Sequence, residues 1–189
     1  MELDRSILFT INHFKCEYRA LSEADVTQEY VDGLIKQTKY IENIPDKVSI
    51  SNQQKYIREK LLSKADTING LFIGNRLVGT AGIQSSVIFF NYVKVPDESM
   101  ATLGILIFDM NYKRMGLGKA LVWASVYLTY NCLKTKWFGA GMANENMPSL
   151  KSFLSCGFKQ VDEVDQSLRV LLKFSELKKP NFIKNLSIR

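Results

Sequence analysis

Apolar residues in the first half of the chain predict a strand and two helices. Residues 13–20 are expected to form a strand. Residues 25–37 and 51–62 carry apolar positions three and four residues apart, the spacing of amphipathic helices. Ser22 with Asp25 resembles a capping box in front of the first helix. The buried faces of these helices are expected to hold Val26, Tyr30, Leu34 and Ile35 in the first and Tyr56, Ile57 and Leu61 in the second.

A hairpin follows these helices in the predicted order. Residues 38–48 contain Asn43 and Pro45, which favour a loop between the two helices. Two apolar runs within residues 71–83 flank a Gly-Asn dipeptide, which is a hairpin signal. The next apolar run, at residues 87–95, is expected to extend the same sheet.

The second half of the chain alternates strands and helices. Residues 102–108 are continuously apolar, as in a strand buried on both faces, and a helix is expected at residues 116–131. Strands at residues 137–142 and 168–174 flank a short helix at residues 146–156. The whole order predicts a mixed α/β (α+β) fold with a mostly antiparallel sheet. The buried face of the long helix is expected to hold Leu117, Ala120, Leu121, Ala124 and Leu128.

Length and composition bound the class of protein. The 189 residues, 46% of them hydrophobic, fit one domain with a real core. We assign this domain to residues 1–177 and a basic tail to residues 178–189, where Pro180 and the charges favour a loose conformation. No apolar run is long enough for a membrane span and the first residues lack a signal-peptide pattern, so a cytoplasmic protein with no membrane partner is expected.

Charge and metal-ligating residues narrow the choice of partners. The formal charge of +6 favours an anionic partner, but the basic residues are scattered and form no nucleic-acid stripe, so no nucleic-acid partner is expected. His13 is the single histidine, which excludes a multi-histidine metal centre. Cys16, Cys132 and Cys156 are far apart and odd in number, which fits reduced thiols and neither a zinc site nor a disulfide framework.

A glycine-containing basic turn is the first candidate for chemistry. It lies between the buried strand and the long helix, with glycines at positions 116 and 118 and cationic side chains at Lys113, Arg114 and Lys119. The free N–H groups of a first helical turn bind phosphate, and cations beside them suit a diphosphate. A tight connection without a ligand explains the glycines equally well. The turn lacks the residues of a P-loop, and Leu121 stands where a dinucleotide fingerprint needs its third glycine.

The second candidate is the short helix that follows the next strand. Asn146 is a good N-cap, Pro148 is tolerated in the first turn, and Gly157 suits the left-handed C-terminal cap. In such an ending Phe158 is expected to pack back on Phe153. Capping and packing thus account for these residues without any function.

Taken in order, these features resemble the GNAT acetyltransferase family. The pattern spans residues 102–158 and includes an Asn-x-x-Ser sequence followed by Gly-Phe eleven residues after the asparagine. The family's phosphate-binding sequence, Gln/Arg-x-x-Gly-x-Gly/Ala, is matched by Lys113, Gly116 and Gly118, with lysine as the first residue. The resemblance implies a GNAT-like fold and acetyl-CoA (coenzyme A) as cofactor.

The resemblance also implies which residues hold the coenzyme. The backbone of the buried strand, at Leu106 and Phe108, is expected to pair with the pantetheine arm, and an N–H group there would stabilise an oxyanion. The amides of the basic turn are expected to hold the diphosphate, and Asn146 to contact the pantetheine. The cofactor-binding residues implied are Leu106, Ile107, Phe108, Lys113, Arg114, Met115, Gly116, Leu117, Gly118, Lys119, Asn146, Ser149, Ser152 and Phe153.

The catalytic residues stay unassigned. Many family members have a tyrosine as general acid at the position of Phe153, which cannot donate a proton. Ser152 and Tyr112 are the weak substitutes, or the thiolate leaves unassisted. Thr102 occupies the place of a frequent acidic residue, so no general base is assigned either. Four carboxylates in loops are more readily explained as solvated surface groups, namely Asp97, Glu98, Asp109 and Glu145.

For the acceptor, residues 18–26 and 140–158 are similar to two branches of the family. The first stretch resembles ribosomal-protein and amino-sugar acetyltransferases, and the second resembles members of surface-polysaccharide and nucleotide-sugar pathways. We expect N-acetylation of a small primary amine such as an amino sugar or a nucleotide-linked amino sugar. The alternatives are a protein N-terminal acetyltransferase and a non-catalytic acyl-CoA-binding module. Domains of this family often pair, so a homodimer is an option.

Overall fold

The computed structural model describes residues 5–37, 48–63, 65–85, 100–112, 114–164 and 167–189. Most of the predicted loop at residues 38–48 and the whole predicted strand at residues 87–95 lie outside this part of the chain, as do Lys113, Asp97 and Glu98.

A nine-stranded sheet forms the centre of the molecule. Its strand order is β7-β8-β6-β5-β4-β3-β2-β1-β9, and all neighbours are antiparallel except β5 and β6. The predicted α/β fold with a mostly antiparallel sheet is therefore confirmed. The strands are β1 (Ile7–Ile11), β2 (Phe14–Ala20), β3 (Asp66–Ile73), β4 (Arg76–Ser85), β5 (Met100–Ile107), β6 (Trp137–Ala143), β7 (Lys159–Val164), β8 (Ser167–Lys173) and β9 (Ile183–Ile188).

Four α-helices contribute to two apolar clusters. They are α1 (Gln28–Lys36), α2 (Ile50–Leu62), α3 (Leu117–Leu133) and α4 (Met147–Ser155). Buried residues of α3 and α4 form the larger cluster with alternate sheet residues such as Leu71. Buried residues of α1 and α2 form the smaller cluster with Phe72 and its neighbours. Since side chains alternate along a strand, Leu71 and Phe72 point to opposite faces, and helices cover both faces of the sheet.

Helix α3 is confirmed with the buried residues that its spacing predicts. Leu117, Ala120, Leu121, Ala124 and Leu128 are all at most 3% exposed. The hairpin of β3 and β4 and the alternation of strands and helices after β5 are also confirmed. Strands β1, β7 and β9 were not predicted. No helix among the residues with described positions has the length and apolar character that crossing a membrane requires.

The first two helices begin differently from the prediction. The Ser22–Asp25 capping box closes a short 3-10 turn, Glu23–Asp25, and α1 begins afterwards at its own N-cap, Thr27. Three of the residues expected to be buried face outward instead, because the sheet covers a narrower stripe of each helix than the spacing suggests. Ile35 is 48% exposed, Tyr56 40% and Leu61 46%.

Strand β5 is not buried on both faces. Ala101 and Leu103 are buried in the larger cluster, whereas Gly104 is exposed on the opposite face. Gly104 pairs with Gly82 of β4, and a Cβ added to either glycine would meet no atom within 4 Å. The prediction failed because an apolar run does not show whether a helix covers each face of the strand.

The C-terminal segment, residues 178–189, is part of the fold and not a loose tail. Its strand β9 pairs with β1, with Ile183 opposite Ile11 and Ile188 opposite Ile7. Ile183 is fully buried in the larger cluster. The charges that favoured a loose conformation lie on exposed side chains, so they do not oppose this pairing.

Candidate functional site

The two parallel strands separate after a short paired stretch. β5 and β6 pair only from Met100 with Trp137 to Thr102 with Gly139. Beyond this point β5 continues along β4 as far as Ile107, and β6 continues along β8 as far as Ala143. Within the described residues, one backbone edge of β5 is therefore left without a strand partner, at the carboxyl ends of the two strands.

The hydrogen bonds to β4 show which backbone groups face this gap. The N–H groups of Phe108 and Asp109 both donate to the Val78 carbonyl, at 3.3 Å. Successive N–H groups along a strand point to opposite edges, so Leu106 faces β4 as Phe108 does, and Ile105 and Ile107 face the gap. The backbone N–H groups of Leu106 and Phe108, which were predicted to pair with pantetheine, thus face β4 and not the gap.

An extra residue in β4 holds the end of β5. Leu71 pairs with Gly79 and Phe72 with Leu77, which leaves Val78 as a bulge. Bulges are frequent beside functional sites because they redirect the backbone. Here the Val78 carbonyl accepts from the N–H groups of both Phe108 and Asp109, and β5 ends just before them, at Ile107.

The basic turn leads into α3 and contains two residues in the left-handed backbone conformation. Arg114 has φ 62° and Gly116, the N-cap, has φ 80°. No side chain caps the helix, and the Gly116 carbonyl accepts from the Ala120 N–H at 3.0 Å. The N–H groups of the first turn, at residues 117–119, precede this first helical bond and have no hydrogen-bond partner among the described residues. They lie at the positive end of the helix dipole, where an anion can bind.

Two cationic side chains flank these amides. Arg114 is exposed and Lys119 is half-buried. Within the described ranges, no carboxylate pairs with either of them. Their charges therefore remain available to an anion bound at the turn.

Both glycines of the turn also have a packing role. A Cβ at Gly116 would stand 2.6 Å from the ring of Phe182, and one at Gly118 would stand 2.8 Å from Ser152 Oγ. The tight-connection explanation of these glycines is therefore correct as far as it goes. It leaves the uncapped amides unexplained.

Asn146 lies at the end of β6, across the gap from the basic turn. Its N–H donates to the Ala143 carbonyl at 2.9 Å, and its Oδ1 accepts from the Ser149 N–H at 3.2 Å. The predicted N-cap is confirmed. Ser152, one turn further along α4, donates its hydroxyl proton to the Pro148 carbonyl at 2.9 Å, so this hydroxyl already has a partner.

Phe153 is a core residue. Its ring is 2% exposed and makes an edge-to-face contact with Phe158, with centroids 5.0 Å apart. The Phe158 N–H donates to the Phe153 carbonyl, and Gly157 has φ 100°, as the predicted helix ending requires. A ring this deeply buried has almost no surface for a cofactor, so the structure does not support the expected contact with it.

Asp109 and Glu145, the two carboxylates near the site, differ in how much of each is exposed to solvent. Asp109, expected to be solvated, is 8% exposed, and its Oδ2 lies 2.6 Å from Arg76 Nε. Its Oδ1 accepts from the Asn111 N–H at 3.0 Å, which fixes the turn that follows β5. Glu145 is exposed, as expected. Because Arg76 and the Asn111 N–H hold its two oxygens, Asp109 is a structural residue of the loop.

Metal-binding and thiol groups add no further chemistry. Within the described residues, no three His, Cys, Asp or Glu side chains come together as a metal site would require. Cys16, Cys132 and Cys156 are not joined by disulfide bonds. Burial raises the pKa of the Cys16 thiol and of the Cys156 thiol to about 11, so neither is an activated nucleophile at neutral pH.

Solved structures show the same arrangement of strands and helices. No protein-family model and no curated protein matches the chain at the level of sequence. RimJ from Mycobacterium smegmatis, solved with CoA-disulfide, matches with a TM-score of 0.72 at 15% identity over 93% of this chain and 90% of that chain. The aminoglycoside acetyltransferase AAC(6′)-Ib, solved with coenzyme A and kanamycin, matches with a TM-score of 0.65 at 15% identity over 84% and 94% of the two chains.

The alignment with a third structure includes nearly all of that structure's chain. The ribosomal-protein-S5-alanine acetyltransferase from Vibrio fischeri matches with a TM-score of 0.69 at 11% identity, over 91% of this chain and 99% of that chain. The chain has the GNAT fold. Identities this low leave the activity to be argued from the residues of the site.

Sequence reasoning found the basic turn and Asn146 of this GNAT fold but missed two features. Which β5 groups face the gap depends on the register of β5 with β4, for which the sequence carries no signal. Phe182 reaches Gly116 only because β9 pairs with β1, at the far edge of the sheet.

Proposed function

We propose that this protein is an acetyl-CoA-dependent N-acetyltransferase that acts on a primary amine. One observation carries the proposal. The unpaired edge of β5 and the uncapped first turn of α3 lie at the two ends of one short connection, residues 108–116. An elongated ligand with amide groups at one end and a diphosphate at the other fits this pair of features.

Coenzyme A has that chemistry, and the residues present fit it. The amides at residues 117–119, with Arg114 and Lys119, suit the diphosphate. The backbone groups of Ile105 and Ile107 suit the amides of the pantetheine arm, which would pair with the edge of β5 as another strand does. Across the gap, the cap of Asn146 uses Oδ1, which leaves its side-chain NH₂ as a donor toward the same arm.

Acetyl-CoA supplies a thioester carbonyl carbon as the electrophile. An N–H of Ile105 or Ile107, directed into the gap, would stabilise negative charge that develops on the carbonyl oxygen. The amine would give up its proton to solvent water as the C–N bond forms, and the C–S bond would then break to release coenzyme A as the thiolate. A thiol has a pKa of about 8.5, low enough for the thiolate to leave and to take a proton from water without the missing tyrosine.

For the acceptor we propose a small amine, such as an amino sugar or a nucleotide-linked amino sugar. The paired glycines Gly82 and Gly104 leave open space on the sheet, one residue along β5 from Ile105. This gives a compact acceptor room close to the thioester. A structural neighbour, the aminoglycoside acetyltransferase, is solved with kanamycin, which also supports a compact amine.

The protein N-terminal acetyltransferase is the second candidate. It is favoured by the neighbour that acetylates an alanine of ribosomal protein S5. The non-catalytic module is favoured by Phe153, which lies in the core and offers no proton to a leaving thiolate.

A transfer assay separates these functions. The protein is incubated with acetyl-CoA and, in turn, with amino sugars, nucleotide-linked amino sugars, polyamines and peptides, and the release of free thiol is followed. We expect release with an amino sugar, and the double variant Arg114→Ala and Lys119→Ala to raise the KM for acetyl-CoA. Release with peptides alone would assign the second candidate, and coenzyme binding without release on any amine would assign the module.

A further inference from the structure

The ring of Phe182 lies directly against the N-cap of α3. Three of its carbons stand 2.6, 3.0 and 3.2 Å from the position that a Cβ would take at Gly116. Phe182 itself is half-buried and packs against the larger apolar cluster. A residue from the end of the chain thus contacts the turn that introduces the candidate diphosphate site.

The part of the chain that follows β8 meets α3 at both ends of the helix. At one end the Phe174 ring stacks on Tyr130, with centroids 3.4 Å apart and an angle of 6° between the planes. At the other end Phe182 covers Gly116, and the helix between Gly116 and Tyr130 spans about 21 Å. A cavity of about 330 Å³ lies between the helix and the segment, lined by residues of both such as Trp123 and Leu186. Phe182 therefore acts on the turn at a separate point of contact.

The position of Phe182 is fixed from its other side. The next residue, Ile183, is fully buried and pairs with Ile11 of β1. Its N–H donates to the Pro180 carbonyl at 3.0 Å, which closes a turn around Phe182. The sheet thus fixes the position of the Phe182 ring, and the ring in turn limits the backbone conformations open to Gly116.

A glycine with positive φ needs such a constraint. Glycine has more backbone freedom than any other residue, and Gly116 sets the direction of the N–H groups that follow it. A site that is ordered before the ligand arrives binds more tightly, because less freedom is lost on binding. We infer that Phe182 is a positioning residue that holds the Gly116 turn in its anion-binding conformation. This inference rests on the proposed function, since it assumes that coenzyme A binds at the turn.

Coenzyme A binding to the full-length protein tests the inference. The dissociation constant is measured by calorimetry at 15 °C for the wild type and for Phe182→Ala, Phe182→Tyr and Leu186→Ala. Phe182→Tyr keeps the ring over Gly116. Leu186→Ala removes a side chain from the same segment that packs on the same cluster and lines the cavity. The unfolding temperature of each variant is measured alongside.

We expect Phe182→Ala to weaken coenzyme A binding at least tenfold, and the other two variants to stay within threefold of the wild type. Leu186→Ala should nevertheless lower the unfolding temperature. If Phe182→Ala does not fold, Phe182→Leu, which removes the flat ring and keeps most of the volume, is measured with the same criterion. Wild-type affinity without the ring, or an equal loss in Leu186→Ala, would overturn the inference. Absence of binding to the wild type would instead remove the proposed function.

Discussion

Ser152 Oγ of α4 stands 2.8 Å from the position that a Cβ would take at Gly118 of α3. The two helices that flank the gap between β5 and β6 therefore meet at a glycine and a serine. The Ser152 hydroxyl is held there by its bond to the Pro148 carbonyl. This close contact sets the distance between the basic turn and Asn146, which lie on opposite sides of the gap.

Gly118→Ala should lower the free energy of unfolding by about 1 kcal/mol, because Ser152 must rotate and lose its hydrogen bond. Adding Ser152→Ala should remove the conflict, so the double variant should be more stable than the sum of the two single changes predicts. Denaturant unfolding of the four proteins measures this coupling. Additive effects would show that the two helices are free to move apart.

Gly116→Ala should impair the site more strongly than Gly118→Ala. The left-handed conformation costs a residue with a Cβ about 1–2 kcal/mol, and the new methyl group would also overlap the Phe182 ring. We expect coenzyme A binding to fall at least tenfold and stability to fall as well, by calorimetry and denaturant unfolding. Gly74→Ala is the matched control, because Gly74 also has a positive φ, of 58°, and a Cβ there meets open space, so its coenzyme affinity should stay within threefold.

Phe153→Tyr should not create a general acid. The ring is buried against Phe158, so a hydroxyl there would lose its contact with water. A buried hydroxyl without a partner costs about 1–3 kcal/mol, so we expect that loss of stability and no increase in kcat with the best acceptor. A rise in kcat with a new loss of activity at alkaline pH, where the tyrosine would deprotonate, would show that this position does reach the leaving thiolate.

The order of elements and the basic turn could be predicted from the sequence because both depend on local signals. The spacing of apolar residues in α3 and the Gly-Asn turn between β3 and β4 specify their structures within a few residues. The caps of α4 are equally local.

What could not be predicted depends on contacts between distant parts of the chain. The pairing of β9 with β1 joins the two ends of the sequence. The exposed charges in residues 178–189 gave no sign that this segment would form a strand. The burial of Asp109 depends on Arg76, which lies beyond the hairpin turn on another strand. The choice of Ile105 and Ile107 as the groups that face the gap depends on the register of β5 with β4.

Arg76→Ala should destabilise the loop between β5 and α3. It would leave the Asp109 carboxylate, which is 8% exposed, without its positive partner. We expect a loss of about 2–3 kcal/mol, below the range for fully buried pairs because Arg76 is 44% exposed. Asp109→Asn in the same background should recover part of it, since the amide oxygen still accepts from Asn111 and no charge is left uncompensated. Equal stability of Arg76→Ala and the wild type would show that the ion pair contributes nothing.

The thiols should respond to pH in a defined direction. Burial raises the pKa of Cys16 and Cys156 to about 11 in the folded protein, whereas an exposed thiol has a pKa of about 8.5. Their neutral forms therefore stabilise the fold below pH ~8.5, and this contribution is lost as the pH rises toward 11. At pH 8 a thiol reagent should modify only the half-buried Cys132 quickly, and Cys132→Ala should abolish this fast phase. Two or three fast thiols would contradict the burial of Cys16 and Cys156.

The most direct measurement is the calorimetric titration of the wild-type protein with acetyl-CoA, alongside the double variant Arg114→Ala and Lys119→Ala. We predict saturable binding to the wild type, a rise in its unfolding temperature, and an affinity at least tenfold lower in the variant. Absence of heat and of thermal stabilisation at saturating acetyl-CoA, or equal binding by both proteins, would contradict the assignment of the α3 N-terminus as the diphosphate site.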